Sequence, residues 1–214
     1  MPSKTEIVNL AATFLGQPAI ENFDTDTTRI GEAARATYDM ELDSALRGFT
    51  WNFATKRRTS AATGTSPTYG FDHAFDMLSD ELRVTKVEGG DEFDWVEEDR
   101  QILTSIGSTI NYSVIIRETD GTKYDAMFVT AFARRLAMNW AETILHSTTA
   151  AQEQRRLFAE VLREAKSVDS KSKTPDVIQA DGWIRSRGNI ELRLATDTRV
   201  LPLLANDPNP ALGI

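Results

Sequence analysis

The run Arg47-Gly48-Phe49-Thr50-Trp51-Asn52-Phe53-Ala54-Thr55-Lys56-Arg57 marks the change from a helical pattern to an extended one. Gly48 follows the last apolar position of the helix, where a left-handed C-cap favours a residue without a Cβ. Beyond it, Trp51 and Phe53 alternate with Asn52 and Ala54, the period of two expected of a half-buried strand. The spacing predicts a strand from Trp51 to Arg58, entered directly from the helix.

Working outward, the N-terminal side reads as two helices. Ser3-Lys4-Thr5-Glu6 has the form of a capping box and predicts a short helix to about Leu15, with Ile7, Leu10, Ala11 and Phe14 on one face. Gly16, Pro18 and the polar run Asp24 to Thr28 form a loop. A second helix from about Thr28 to Arg47 carries Ile30, Ala34, Tyr38, Leu42, Ala45 and Leu46 at the threes and fours of a core stripe.

On the C-terminal side, a Gly/Ser/Thr/Pro-rich loop from Thr59 to Gly70 precedes several short strand patterns. These are His73 to Leu78, Leu82 to Val87, a segment near Phe93 to Val96, Gln101 to Ser105 and Thr109 to Arg117. The last two read as a hairpin joined at Ile106-Gly107-Ser108, and together the segments predict a small antiparallel sheet. Helical spacing returns after Asp120-Gly121, with Tyr124, Met127, Phe128, Ala131, Phe132, Leu136, Trp140 and Ile144 forming a wide apolar stripe. His146 to Thr149 breaks it, with His146 at the helix C-terminal carbonyls and Thr148 or Thr149 capping the next helix. That helix turns Leu157, Phe158, Val161, Leu162, Ala165 and Val168 inward. Its outer face carries Arg156, Glu160 and Arg163, spaced for ion pairs.

The expected fold is α+β: an antiparallel bundle of about four helices from residues 1–50 and 120–174, with a β-rich subdomain, residues 51–119, inserted between them. Residues 175–214 follow Pro175, which disfavours helix before it. Their apolar residues are scattered among Gly, Asp, Asn and Pro, so they read as an extended C-terminal arm. Either the arm straps its own bundle or it orders on a neighbouring subunit or partner. Trp183, Arg185 and Arg187 are the expected anchors, with Ile184, Ile190, Leu192 and Leu194 beside them as candidate binding residues.

Composition narrows the chemistry. The 214 residues, 41% of them hydrophobic, can bury a real core. The chain has no cysteine and two histidines, which excludes thiol nucleophiles, disulfides and zinc–cysteine sites. No uncharged apolar run is long enough to span a bilayer, and the N-terminus does not read as a signal peptide. These features suit a soluble protein of a reducing compartment, or of a particle assembled in one.

With 32 acidic against 24 basic residues the net charge is −8, which argues against sequence-specific DNA binding. A duplex sliding past an acidic wall remains compatible with it. Glu88, Asp91, Glu92, Asp94, Glu97, Glu98 and Asp99 make an acidic cluster. It lacks the order of a calcium loop, so it reads as a solvated loop or a lumen-facing surface rather than a metal site. There is no phosphate loop, nucleophile elbow or His-Glu-x-x-His helix. No catalytic residue, metal or cofactor is therefore expected.

The order of these pieces resembles the head-to-tail adaptors (tail tubular protein A family) of short-tailed bacteriophages. Trp51-Asn52-Phe53-Ala54 after a helix is similar to the family's Trp–Phe–Ala strand. His73-Ala74-Phe75-Asp76-Met77-Leu78 followed by Asp80-Glu81-Leu82-Arg83-Val84 resembles another family segment, with Met77-Leu78-Ser79 where Leu-Pro is usual. Trp95 with Ile102-Leu103-Thr104 resembles a third. Tyr124 to Phe128 leading into Ala131 to Ala137 resembles a fourth, with Ala126 in place of a common proline. The similarity runs over roughly residues 4–175.

It implies a structural connector of the virion tail, assembled in the host cytoplasm. The expected partners are the portal protein, the tail nozzle ring (tail tubular protein B) and further copies of the chain in a ring, taken as dodecameric. DNA would pass through an acidic channel without specific binding, and no membrane is involved. Two other readings are a tail-associated peptidoglycan hydrolase, which needs only two carboxylates, and a cellular helical scaffolding domain.

Overall fold

In a computed structural model of the protein, residues 2–90 and 93–172 are described. They form an α+β fold with four helices, α1 (Lys4–Phe14), α2 (Arg29–Arg47), α3 (Ala126–Leu145) and α4 (Thr148–Lys171). The strands are β1 (Thr55–Ala61), β2 (His73–Asp76), β3 (Glu81–Val87), β4 (Trp95–Glu98), β5 (Gln101–Thr104) and β6 (Thr109–Ile116). All candidate binding residues of the C-terminal segment, Trp183, Ile184, Arg185, Arg187, Ile190, Leu192 and Leu194, lie outside the described residues.

The helix starts follow the sequence closely because short polar side chains satisfy the orphan N–H groups there. Ser3 and Glu6 close a reciprocal capping box on α1, Thr28 caps α2 and Asp125 caps α3. Ala126 thus occupies the first helical position, the one place in a helix that accepts proline freely. The cap of α4 is Ser147 rather than Thr148 or Thr149, its hydroxyl accepting the Ala150 N–H at 3.2 Å. Of the α4 residues expected inward, only Ala165 is fully buried. Leu157, Phe158, Val161 and Leu162 are half-covered, and Val168 is exposed, because α4 packs chiefly on α3, with Gln154 reaching the Phe14 carbonyl of α1.

The sheets depart from the reading of a single sheet. There are two, with strand orders β1-β6-β3 and β2-β5-β4, both antiparallel. The expected β5–β6 hairpin does not form, because the Ile106-Gly107-Ser108 link carries the chain from one sheet to the other. A tight hairpin joins β4 to β5 instead, where Asp99 (φ 47°) and Arg100 (φ 62°) make a two-residue loop. Arg100 tolerates that backbone because its guanidinium is tied to the carbonyl oxygens of Leu78 and Glu81, each at 2.6 Å.

Two hydrophobic clusters result. One spans the helices and takes in Trp51, Ala54 and Ile115; the other gathers Phe75, Val84, Val87, Ile102, Ile110, Tyr112 and Val114 of the sheets. The second encloses a carboxylate. Glu81 is fully buried and accepts hydrogen bonds from Arg58 and Tyr112 at 2.8 Å and from the Leu78 N–H at 2.9 Å. Arg58 also grips Asp80 with two bonds, at 2.7 and 3.1 Å. The chain turns at Leu78 to Glu81, where the Glu81 carboxylate receives the Leu78 N–H and the Glu81 N–H bonds the Leu78 carbonyl.

Candidate functional site

The helix-to-strand junction is where the helices and the first sheet are tied together. The residues Trp51-Asn52-Phe53-Ala54 are not a strand: Asn52–Ala54 form one 3₁₀ turn, and β1 starts at Thr55 and runs on to Ala61, past the expected end at Arg58. Trp51 and Ala54 are the buried pair, three residues apart as one 3₁₀ turn requires. Gly48 caps α2 but in a right-handed conformation (φ −71°), so no left-handed cap occurs. A Cβ there would lie 3.2 Å from the Ser44 carbonyl oxygen, a contact that a small local shift relieves.

Trp51 is the hub. Its indole N–H donates to the Ala45 carbonyl at 3.0 Å, and its ring meets Phe49, Phe53 and Phe128 at centroid distances of 4.9 to 6.1 Å. Next to it, the Asn52 N–H reaches the Asp169 carboxylate at 3.1 Å and the Asn52 amide donates to the Asp169 carbonyl at 2.6 Å. One residue in the last turn of α4 is thereby clamped to the junction. Burial, with Asp125 nearby, raises the Asp169 carboxyl above its ordinary range, and the bond from Asn52 opposes that. Asp169 was recognisable in principle, because it follows Ala165 by four on the apolar stripe of α4. An acid on a buried stripe signals a fixed partner.

Beside this hub lies an open cleft between α2, α3 and α4. Its floor is Trp51, Phe128 and Phe132, and its wall includes Phe49, Phe158 and Leu162. Ser44, Arg135 and Lys166 stand at the polar margin, with the Lys166 ammonium 5.2 Å from the Phe49 ring centroid. The cleft holds about 50 Å³, far less than the ~300–1,000 Å³ of small-molecule sites. It fits the end of one side chain, not a metabolite.

Three arginines of the short basic runs are engaged inside the fold, while Lys56 and Arg57 are exposed. Arg58 serves Asp80 and Glu81, Arg134 lies 3.5 Å from the Phe14 ring centroid and bonds Gln154, and Arg135 pairs with Glu41. Within the acidic segment, Glu97 accepts the Val84 N–H at 2.9 Å and faces Arg47 at 3.5 Å, while Glu88 accepts from Asn111. Asp91 and Glu92 lie outside the described residues. Among the described residues no three His, Asp or Glu side chains are grouped to hold a metal ion. None of their helices is long and apolar enough to cross a membrane.

His146 stands at the left-handed end of α3 (φ 51°), but the α3 carbonyl of Thr143 is met by Arg29, at 2.7 Å. The imidazole Nε2 faces the same guanidinium at 3.3 Å. Arg29, which the sequence reading passed over, takes the role expected of His146. No protein-family model matches the chain, and no curated protein matches it.

Proposed function

We propose that the chain is a head-to-tail adaptor of a short-tailed phage, a structural ring component between portal and tail nozzle with no catalytic role. The observation that carries this reading is the ordered series of family-like segments, beginning at Trp51-Asn52-Phe53-Ala54 and ending in the α3 sequence. Those same segments supply the hub of the fold, as expected of a protein whose shape is its function. A ring of such subunits uses heterologous contacts, one patch of each copy meeting a different patch on the next. The excess of carboxylates, with Arg58, Arg134 and Arg135 held inside the fold, suits a channel wall that repels DNA phosphates. The arm from Pro175 onward, with Trp183, Arg185 and Arg187, is proposed to reach the portal or a neighbouring copy.

Electron microscopy of the purified protein mixed with the portal ring of the same phage tests the reading. The expected result is a new ring-shaped layer on one end of the portal, from which the stoichiometry can be counted. Portal rings left bare at high protein concentration would reject it.

A further inference from the structure

Each of the two sheets has one closed edge and one open edge. The outer edge of β3 is taken by side chains. Glu97 accepts the Val84 N–H at 2.9 Å, and Arg100 and Arg47 donate to the carbonyls of Glu81 and Leu82. The outer edge of β2 is met by the chain leaving β1, where the Thr63 N–H donates to the Ala74 carbonyl at 2.7 Å. That leaves β1 and β4.

In β1 the Ala62 N–H donates to the Ser108 carbonyl, and alternation back along the antiparallel ladder turns the backbone groups of Arg57 and Thr59 away from β6. In β4 the two-residue loop makes Glu98 and Gln101 the closing bonded pair, which turns the backbone groups of Trp95 and Glu97 away from β5. Among the described residues no other group bonds these outward N–H and C=O groups.

The two open edges differ in charge. On β1, Lys56 and Arg57 are exposed and join no ion pair among the described residues, unlike Arg58, which Asp80 and Glu81 take up. Along β4 and its turn, Asp94, Glu98 and Asp99 are exposed and equally without a cation, beside Val96 at 38% exposure. An open edge invites another strand, and charges of one sign along it deter a copy of itself. Like charges meet when β1 faces β1 or β4 faces β4, whereas β1 against β4 brings opposite charges together.

We infer that β4 of one copy adds to the β1 edge of a second copy as an antiparallel strand. Aligning Glu97 with Arg57 and Trp95 with Thr59 sets outward backbone groups against outward backbone groups, so the main chains supply the bonds. In the same register Glu98 stands opposite Lys56, and Val96 is covered. Because the two edges are different patches, each copy offers one edge to either neighbour, which closes a ring or extends a chain. This names a subunit contact for the adaptor ring and rests on that reading for the ring itself, not for the pairing of the two edges.

The chain contains no cysteine, so introduced ones report without background. Asp94→Cys and a larger tagged Ser60→Cys, opposite each other in this register, are mixed and treated with a short bis-maleimide, alone and with portal rings. The expected product joins one tagged and one untagged chain. Adding Lys56→Glu to the tagged protein, or Glu98→Lys to the other, should lower its yield about tenfold. Combining the two reversals should restore the yield, which damage to the fold could not do. Both reversals are at exposed positions, and circular dichroism confirms that each variant remains folded.

No mixed product under either condition overturns the contact, the result expected if residues 173–214 or the portal occupy the β1 edge. A yield indifferent to the reversals, or not restored by their combination, overturns it too, as do products that join only like with like. Microscopy of the same mixtures keeps the two readings apart. Rings on the portal without cross-linking reject this contact and retain the adaptor; cross-linking with bare portals retains the contact and rejects the adaptor.

Discussion

The helical core and the sheet core solve the same problem with different chemistry. Around Trp51 the helices bury aromatic surface: Phe128 stacks with Phe132, and Tyr38 meets Phe132 edge-on. Around Glu81 the sheets enclose a charge, held by Arg58, Tyr112 and a backbone N–H. Apolar packing is tolerant of direction but sensitive to lost volume. A buried ion pair fixes orientation, and becomes costly when one partner is removed. Strand orientation in the sheet region is therefore expected to depend on a few polar atoms, and helix packing on filled space.

The sharpest way to break the helical side is Trp51→Ala, which empties the hub and removes the bond to Ala45. A loss of about 4 kcal/mol in urea unfolding is expected, typical of a buried tryptophan truncated to alanine. On the sheet side, Arg58→Leu leaves Glu81 buried without its cation and should cost about 3 kcal/mol in the same assay. The double substitution Arg58→Leu with Glu81→Leu should recover part of that loss. Recovery of nothing would mean that the bonds from Tyr112 and Leu78 lost with Glu81, or the pair of Arg58 with Asp80, outweigh the relief of the buried charge.

The smallest effect separates the two regions by pH. The Asp80 carboxyl is held below its ordinary value of 3.8 by the hydrogen bond from Arg58. Its stabilising contribution is present above that value and lost as the pH falls below it. Asp169 is raised by burial. The folded state favours its protonated form, so its contribution is present at low pH and lost as the pH rises through the raised value. Asp169→Asn should remove that opposing slope, raising stability at neutral pH by under about 1 kcal/mol and leaving a steeper acid loss. An unchanged pH profile of unfolding would show that the Asn52 bond fully compensates the burial.

The starts of α1 and α2 were legible because capping is local: Ser3 and Thr28 act on N–H groups within three residues of themselves, whereas Tyr124, read into the third helix, precedes the Asp125 cap at which α3 begins. The junction was misread because Trp51-Asn52-Phe53-Ala54 fits two periods. Alternation of apolar and polar groups suggested a strand, while burial of the first and fourth residues is that of a tight helical turn. Sheet partners were not legible, since β5 and β6 are separated by turn-forming residues yet pair elsewhere. Glu81 gave no signal, because it sits ahead of the strand expected from Leu82 and its cation, Arg58, lies 23 positions away. The cleft was half visible: its Trp51, Phe128, Phe132, Phe158 and Leu162 were read as apolar-facing, but its cationic margin, Arg135 and Lys166, comes from α3 and α4. The residues expected to contact the portal lie outside the described part of the chain.

The clamp between Asn52 and Asp169 spans 117 positions of sequence, and this sets an order on biosynthesis. At about 5–20 residues per second, the growing chain exposes the Trp51 turn roughly 6–23 seconds before its α4 partner has been made. The nascent N-terminal helices must wait with their aromatic surface uncovered, an interval in which a holding chaperone would find its target.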